Sequence, residues 1–129
     1  MRISKIFLTW AAMLGAAGVV AGALGAHLIQ PGLSDVDAKS FDTAIFYLFV
    51  HVLALMLVVV MLNFKQPRWL LSIAGFSFAA AVPLFSGTII ARLALEWEFG
   101  MPLAPIGGSL FIVGWLALSL AAVLEPNND

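Results

Sequence analysis

The chain has two histidines, His27 and His51, and the second lies inside an apolar run. Ionisable side chains within a membrane-length apolar segment are rare and often mark proton or substrate paths. Thr43, Tyr47 and His51 follow one another at i, i+4 and i+8, so on a helix they form one polar stripe. The competing expectation is structural: a neutral His51 that hydrogen-bonds Tyr47 or a small-residue helix and joins two helices. His27 closes the first apolar run, near an interface where water is available. It is expected either to cap the last carbonyls of its helix or to stand at the mouth of a path leading to His51. Ser86, three residues after Pro83, is placed to bond carbonyls freed by a proline kink. Arg92 and Glu96 have the i,i+4 spacing of an exposed ion pair, with an outer gate as the sharper alternative.

Several chemistries are set aside at this level. Two histidines ligating a haem must lie at one depth, and His51 is expected to sit roughly 10 Å deeper than His27 on a rise of 1.5 Å per residue. A metal site lacks a carboxylate at matched depth, Asp42 being the nearest. No nucleophile–base pair or metal-ligand spacing is present. No metal, no cofactor and no enzymatic activity are therefore expected. With six Lys and Arg against seven Asp and Glu, no basic patch is available for nucleic acid. The absence of cysteine excludes disulfides and thiolate sites.

The elements that must position these residues follow from composition. The 129 residues are 63% hydrophobic and 10% charged, with a mean hydropathy of +1.08. A soluble chain of this length could not hide that much apolar surface in one small core. The expected class is an all-α integral membrane protein: an antiparallel bundle of four transmembrane helices in one domain over residues 1–129, in contact with the lipid bilayer. The spans are expected at about 6–28, 43–62, 69–92 and 105–124. The first, at 23 residues, reaches about 34 Å, enough for a bilayer core of about 30 Å. It is longer than a signal-peptide core despite Ala21-Gly22-Ala23, so an uncleaved helix is expected.

Pro31 and Gly32 break the first helix. Ser34 and Asp37 have capping-box spacing, and Asp35 with Lys39 forms an i,i+4 pair, so the second helix is expected to begin in water near Asp35. The turn 63–68 is short and makes the second and third helices antiparallel neighbours. Pro83 is expected to kink the third helix near mid-membrane. The tail 125–129 is acidic. Arg2, Lys5, Lys65 and Arg68 gather at one end of the bundle, against Lys39 and Arg92 at the other, which predicts both termini in the cytoplasm.

Helices in lipid associate through close packing, which small residues permit. Gly15, Gly18, Gly22 and Gly25 share one face of the first helix with Ala11, and the average spacing of 3.5 residues from Ala11 to Gly25 suits a left-handed crossing. The expected partners of this seam are the face of the third helix carrying Ser72, Gly75, Ala79, Pro83 and Ser86, with Gly87 beside it, and the fourth-helix region of Gly107, Gly108 and Gly114. Closure within one chain is the favoured expectation.

Five short pieces carry a resemblance: Gly22-Ala23-Leu24-Gly25-Ala26-His27, Tyr47 with His51, Phe85-Ser86-Gly87, Pro105-Ile106-Gly107-Gly108 and Gly114-Trp115. In this order they cover nearly the whole chain, which resembles the YgdD-like family of small, uncharacterised bacterial inner-membrane proteins, a domain-of-unknown-function family. Leu24, Leu28 and Leu48 stand where that family usually has Phe, Gly and Gln, so no polar role is carried to position 48. The resemblance implies a four-helix, multi-pass protein of the bacterial inner (plasma) membrane and no particular reaction. The functional expectation is a non-enzymatic packing or interaction protein, whose partner is a second copy or another membrane protein. The alternative is a small transporter or channel component using the stripe around His51. Small multidrug exporters of similar length depend on an acid in the first span, and residues 6–28 contain none.

Overall fold

The structure is a computed structural model and describes residues 2–65 and 67–125. Gln66 of the short turn and residues 126–129 of the acidic tail lie outside the described residues. The described chain is all-helical. Helix α1 (Arg2–Leu24) runs into a π-helical turn (Gly25–Ile29) and a 3-10 turn (Gln30–Gly32). Helix α2 spans Asp35–Phe64 and α3 spans Arg68–Val82. A π-helical turn (Pro83–Gly87) leads into α4 (Thr88–Leu95), and after a 3-10 turn (Glu98–Gly100) α5 runs over Leu103–Val123. Joined through their turns, these make four helical rods long and apolar enough to cross a bilayer. The first three overrun the apolar stretches read from sequence because helix, unlike hydropathy, continues into polar ends, and the fourth nearly coincides with its stretch. The first polar turns of α2, up to Asp42, stand ahead of its apolar length. Ser34 is its N-cap, accepting the Asp37 amide at 3.2 Å.

The core threads all four rods. Phe7 and Ala11 of α1, Leu55 and Val58 of α2, Leu71 and Phe78 of α3, and Phe111 of α5 are buried together. Helix α1 packs chiefly on α2, α2 on α3, and α3 on α5, while α2 and α5 barely meet along their backbones. Side chains span that last gap.

The glycine seam meets a different neighbour from the one expected. It faces bulky residues of α2, not the small faces of α3 and α5. A methyl at Gly18 would strike Leu48 and Phe49, one at Gly25 would strike Phe41, and Gly15 sits in ordinary contact with Val52. Gly22 faces open space, so the seam is interrupted. The other glycines divide likewise. Gly75 receives the Phe7 ring and Gly114 the Phe78 ring. Gly87 and Gly108 are in ordinary contact only. At Gly107 a Cβ would stand 2.5 Å from the Phe85 amide nitrogen, a close approach of two backbones. Gly18, Gly25, Gly75 and Gly114 therefore act as notches that seat an aromatic or branched side chain. In a bilayer, where burial alone draws no helices together, such notches supply the van der Waals fit.

Pro83 opens a π-helical turn rather than a simple kink. Lacking an N–H, it cannot serve the carbonyl of Ala79, four residues back. Trp10 of α1 does so instead: its indole Nε1 donates to Ala79 O at 2.9 Å. Ser86 was expected to bond carbonyls loosened by the proline. It is fully buried and its hydroxyl has no hydrogen-bond partner among the described residues, while Thr88 bonds back into the π-helical turn. Thr88 Oγ1 donates to Leu84 O at 2.7 Å, with Phe85 O at 3.1 Å.

Candidate functional site: the His51 clamp and its groove

His51 stands mid-way along α2 with 4% of its surface exposed. Its Nδ1 lies 2.7 Å from the carbonyl oxygen of Tyr47, one turn earlier. Its Nε2 lies 3.1 Å from Nε1 of Trp115 on α5. An indole N–H can only donate, so Nε2 must be the acceptor. The proton of the neutral ring then sits on Nδ1, which donates to Tyr47 O. The partners thus fix both the tautomer and the ring's orientation. Both nitrogens are used, one within α2 and one across to α5.

Aromatic rings enclose the imidazole. Phe111 stacks on it with centroids 3.6 Å apart and planes 22° apart, and Tyr47 stacks at 5.5 Å. Phe78 approaches at 5.7 Å and Trp115 edge-on at 6.0 Å. Phe85, on the π-helical turn, packs on Tyr47 and Phe111. This cluster bridges the gap between α2 and α5. Outside it lies an open groove of about 630 Å³, with Phe46, Tyr47, Ile112 and Trp115 among its walls and His51 on its floor. Phe46 and Ile112 are largely exposed at its rim.

The stripe expected from spacing is only partly assembled. Tyr47 and His51 share the cluster, whereas Thr43 turns its hydroxyl back to Lys39 O at 2.9 Å and borders a separate groove with Val36, Lys39, Ser40 and Ile89. Ser86 is sealed in the π-helical turn, away from the groove lining. His27 is exposed on the turn after α1 and makes no hydrogen bond to the helix carbonyls among the described residues. Trp115, Phe111 and Thr88 were not anticipated. One signal pointed to Trp115: an indole N–H inside an apolar span needs an acceptor, and the spans offer few besides His51. Among the described residues, no three His, Asp or Glu side chains come together in a way that could hold a metal ion.

Residues 21–108 match the family described as "Protein of unknown function (DUF423)". A UPF0382 membrane protein of Schizosaccharomyces pombe is 34% identical, the match covering 84% of this chain and 93% of the relative. One from Staphylococcus aureus is 31% identical over 91% and 94%. The UPF0382 inner membrane protein YgdD of Escherichia coli K12 is 30% identical over 93% and 91%. The chain belongs to the DUF423 family. The resemblance to YgdD-like proteins is thereby established, and this DUF423 protein is a multi-pass protein of the inner membrane. The family is one of unknown function, and none of these names carries an activity. No solved structure matches the chain.

At one end of this DUF423 bundle the charges are paired across elements. Arg92 was expected to pair with Glu96. Its guanidinium instead reaches Asp37 at the start of α2, Nη2 to Oδ1 at 3.0 Å. The reason is local: α4 ends at Leu95 and Glu96 takes a left-handed conformation with φ 54°, which breaks the i,i+4 register. Arg92, and after it the Ser34 hydroxyl, hold the Asp37 carboxyl below the ordinary aspartate range. Gln30 donates to Asp42, tying the end of the first rod to α2. At the opposite end Lys65 pairs with Glu125 at 2.8 Å.

Proposed function

We propose that this DUF423 protein is a non-enzymatic packing and interaction protein of the membrane, with the aromatic groove between α2 and α5 as its docking face. The occupant is a transmembrane helix, from a second copy or from another membrane protein. The observation that carries the reading is the commitment of both His51 nitrogens to Tyr47 O and Trp115. The imidazole is spent on holding the floor of the groove, which leaves an apolar, ring-lined surface facing lipid. Both termini are placed in the cytoplasm on this reading, supported by four basic residues at the end of the bundle that carries Lys65 and Glu125.

The chain has no cysteine, so a single Ile112→Cys at the rim reports on docking without background. Oxidation in native membranes is expected to give a cross-linked species that Gly108→Leu abolishes. Gly108 borders the groove, and a Cβ there makes only ordinary contact with Phe85, so leucine fills the groove without breaking the fold. Monomers alone from Ile112→Cys, or a cross-link indifferent to Gly108→Leu, would sink the reading.

A transport component is the second reading. The buried Ser86 hydroxyl in the π-helical turn, without a hydrogen-bond partner among the described residues, favours it, since π-turns inside helices are often functional. Ion or solute flux in proteoliposomes that His51→Ala and Ser86→Ala alter would support it. Flux absent at every pH tested would remove it.

A further inference from the structure

The outer face of α1 carries a second groove, on a different side from the His51 clamp. Arg2, Lys5, Ile6, Thr9, Trp10 and Met13 line a space of about 430 Å³. Their spacing of i, i+3, i+4, i+7, i+8 and i+11 puts them on one face of the helix. The chemistry is sorted along its length. Two cations stand at the end where the chain enters the bilayer, a hydroxyl follows, and Ile6, Trp10 and Met13 continue as an apolar wall. Arg2 and Lys5 are exposed and have no ionic partner among the described residues. The wall is held in place, because the Trp10 indole is tied to Ala79 O at 2.9 Å.

We propose that this groove seats one anionic phospholipid, with its phosphate between Arg2 and Lys5 and an acyl chain along Ile6 and Met13 against Trp10. Charge complementarity argues for an anion at the upper end. Basic residues immediately beside a membrane span attract anionic headgroups. The lower end argues for a lipid rather than a free phosphate, which would leave the apolar wall of Ile6, Trp10 and Met13 unused. A second copy of the chain fits less well, since a transmembrane helix docked along Ile6 and Met13 would have to bring an acid to the depth of Lys5. The site is independent of the α2–α5 groove and stands or falls separately from it.

The test uses the full-length protein reconstituted in vesicles mixing phosphatidylglycerol with phosphatidylcholine, then released and analysed by native mass spectrometry. One phosphatidylglycerol is expected to be retained in preference to phosphatidylcholine. Arg2→Gln with Lys5→Gln is expected to lower that preference about twenty-five-fold, at roughly fivefold per cation. The charge-keeping pair Arg2→Lys with Lys5→Arg keeps it, as does Lys39→Gln at the other end of the bundle. Equal retention of the two lipids overturns the proposal, as does a preference that survives the double neutralisation. Displacement of the lipid by inorganic phosphate would reduce the site to a headgroup anion site and overturn the lipid assignment.

Discussion

The Trp10 indole donates to the carbonyl oxygen of Ala79, the acceptor that Pro83 leaves unserved one turn later. A proline in the third membrane rod is thus compensated from the first. In hydrocarbon an unpaired carbonyl costs more than it does in water, so such cross-helix donors are what make an interior proline tolerable. Trp10→Phe keeps the ring and removes the donor. It is expected to lower stability by about 1–2 kcal/mol in denaturant unfolding from detergent micelles. In a Pro83→Ala background, where residue 83 regains an amide hydrogen, the same change should cost less. Equal costs in the two backgrounds would show that the bond does not answer the proline.

Trp115→Phe leaves His51 Nε2 without its donor while preserving an aromatic side chain against Phe78. The expected loss is about 1 kcal/mol, the scale of interhelical hydrogen bonds in membranes. Imidazole nitrogen spectra give the sharper readout. The wild-type ring is expected as a single Nδ1–H tautomer, and Trp115→Phe as a mixture of both. An Nε2–H tautomer in the wild type would contradict the donor assignment.

The glycines are expected to rank by what fills them. Gly22→Ala faces open space and should be neutral or gain up to about 1 kcal/mol from helix propensity. Gly25→Ala and Gly114→Ala push on the rings of Phe41 and Phe78 and should cost about 1–3 kcal/mol. Gly107→Ala meets backbone, which cannot swing aside, and should cost the most. Thermal unfolding of the four variants in one detergent tests the order, and Gly22→Ala as the worst of them would refute it.

Asp37→Asn and Arg92→Gln should each destabilise the fold, and the double variant should lose less than their sum, because the two residues share one ion pair. Glu96→Gln should change little. The lowered Asp37 carboxyl stabilises the fold above the ordinary aspartate pKa of about 3.9 and loses that contribution as pH falls through its own lower value. The gap between wild type and Asp37→Asn is therefore expected in full at about pH 5 and to close on acidification below about pH 4. A gap that widens in acid would mean that Arg92 is not the partner that matters.

Hydropathy made the four rods legible, because bilayer thickness fixes how long an apolar helix must be. Ser34 was legible as a cap because capping is local. The partners were not. Gly18 and Gly25 announce a smooth face, yet nothing in their spacing says whether another smooth face or the rings of Phe41 and Phe49 will meet it. His51 was visible as the odd residue in its span, while the bond that defines it comes from Trp115, 64 positions away. Arg92 shows the same limit at short range. Its spacing to Glu96 is right for a helix, and the helix stops one residue too soon.

The filling of the glycine notches also implies an order of assembly as the chain emerges from the ribosome, N-terminal segments first. The Gly75 notch of α3 is filled by Phe7, and the Gly107 and Gly114 positions of α5 are met by Phe85 and Phe78, all made earlier. Only α1 must wait, because Gly18 and Gly25 are filled from α2. In its most apolar stretch just 17% is buried even in the finished bundle. The hairpin of α1 and α2 is thus the first unit in the nascent chain able to close, and each later rod arrives to find its complement already in the membrane.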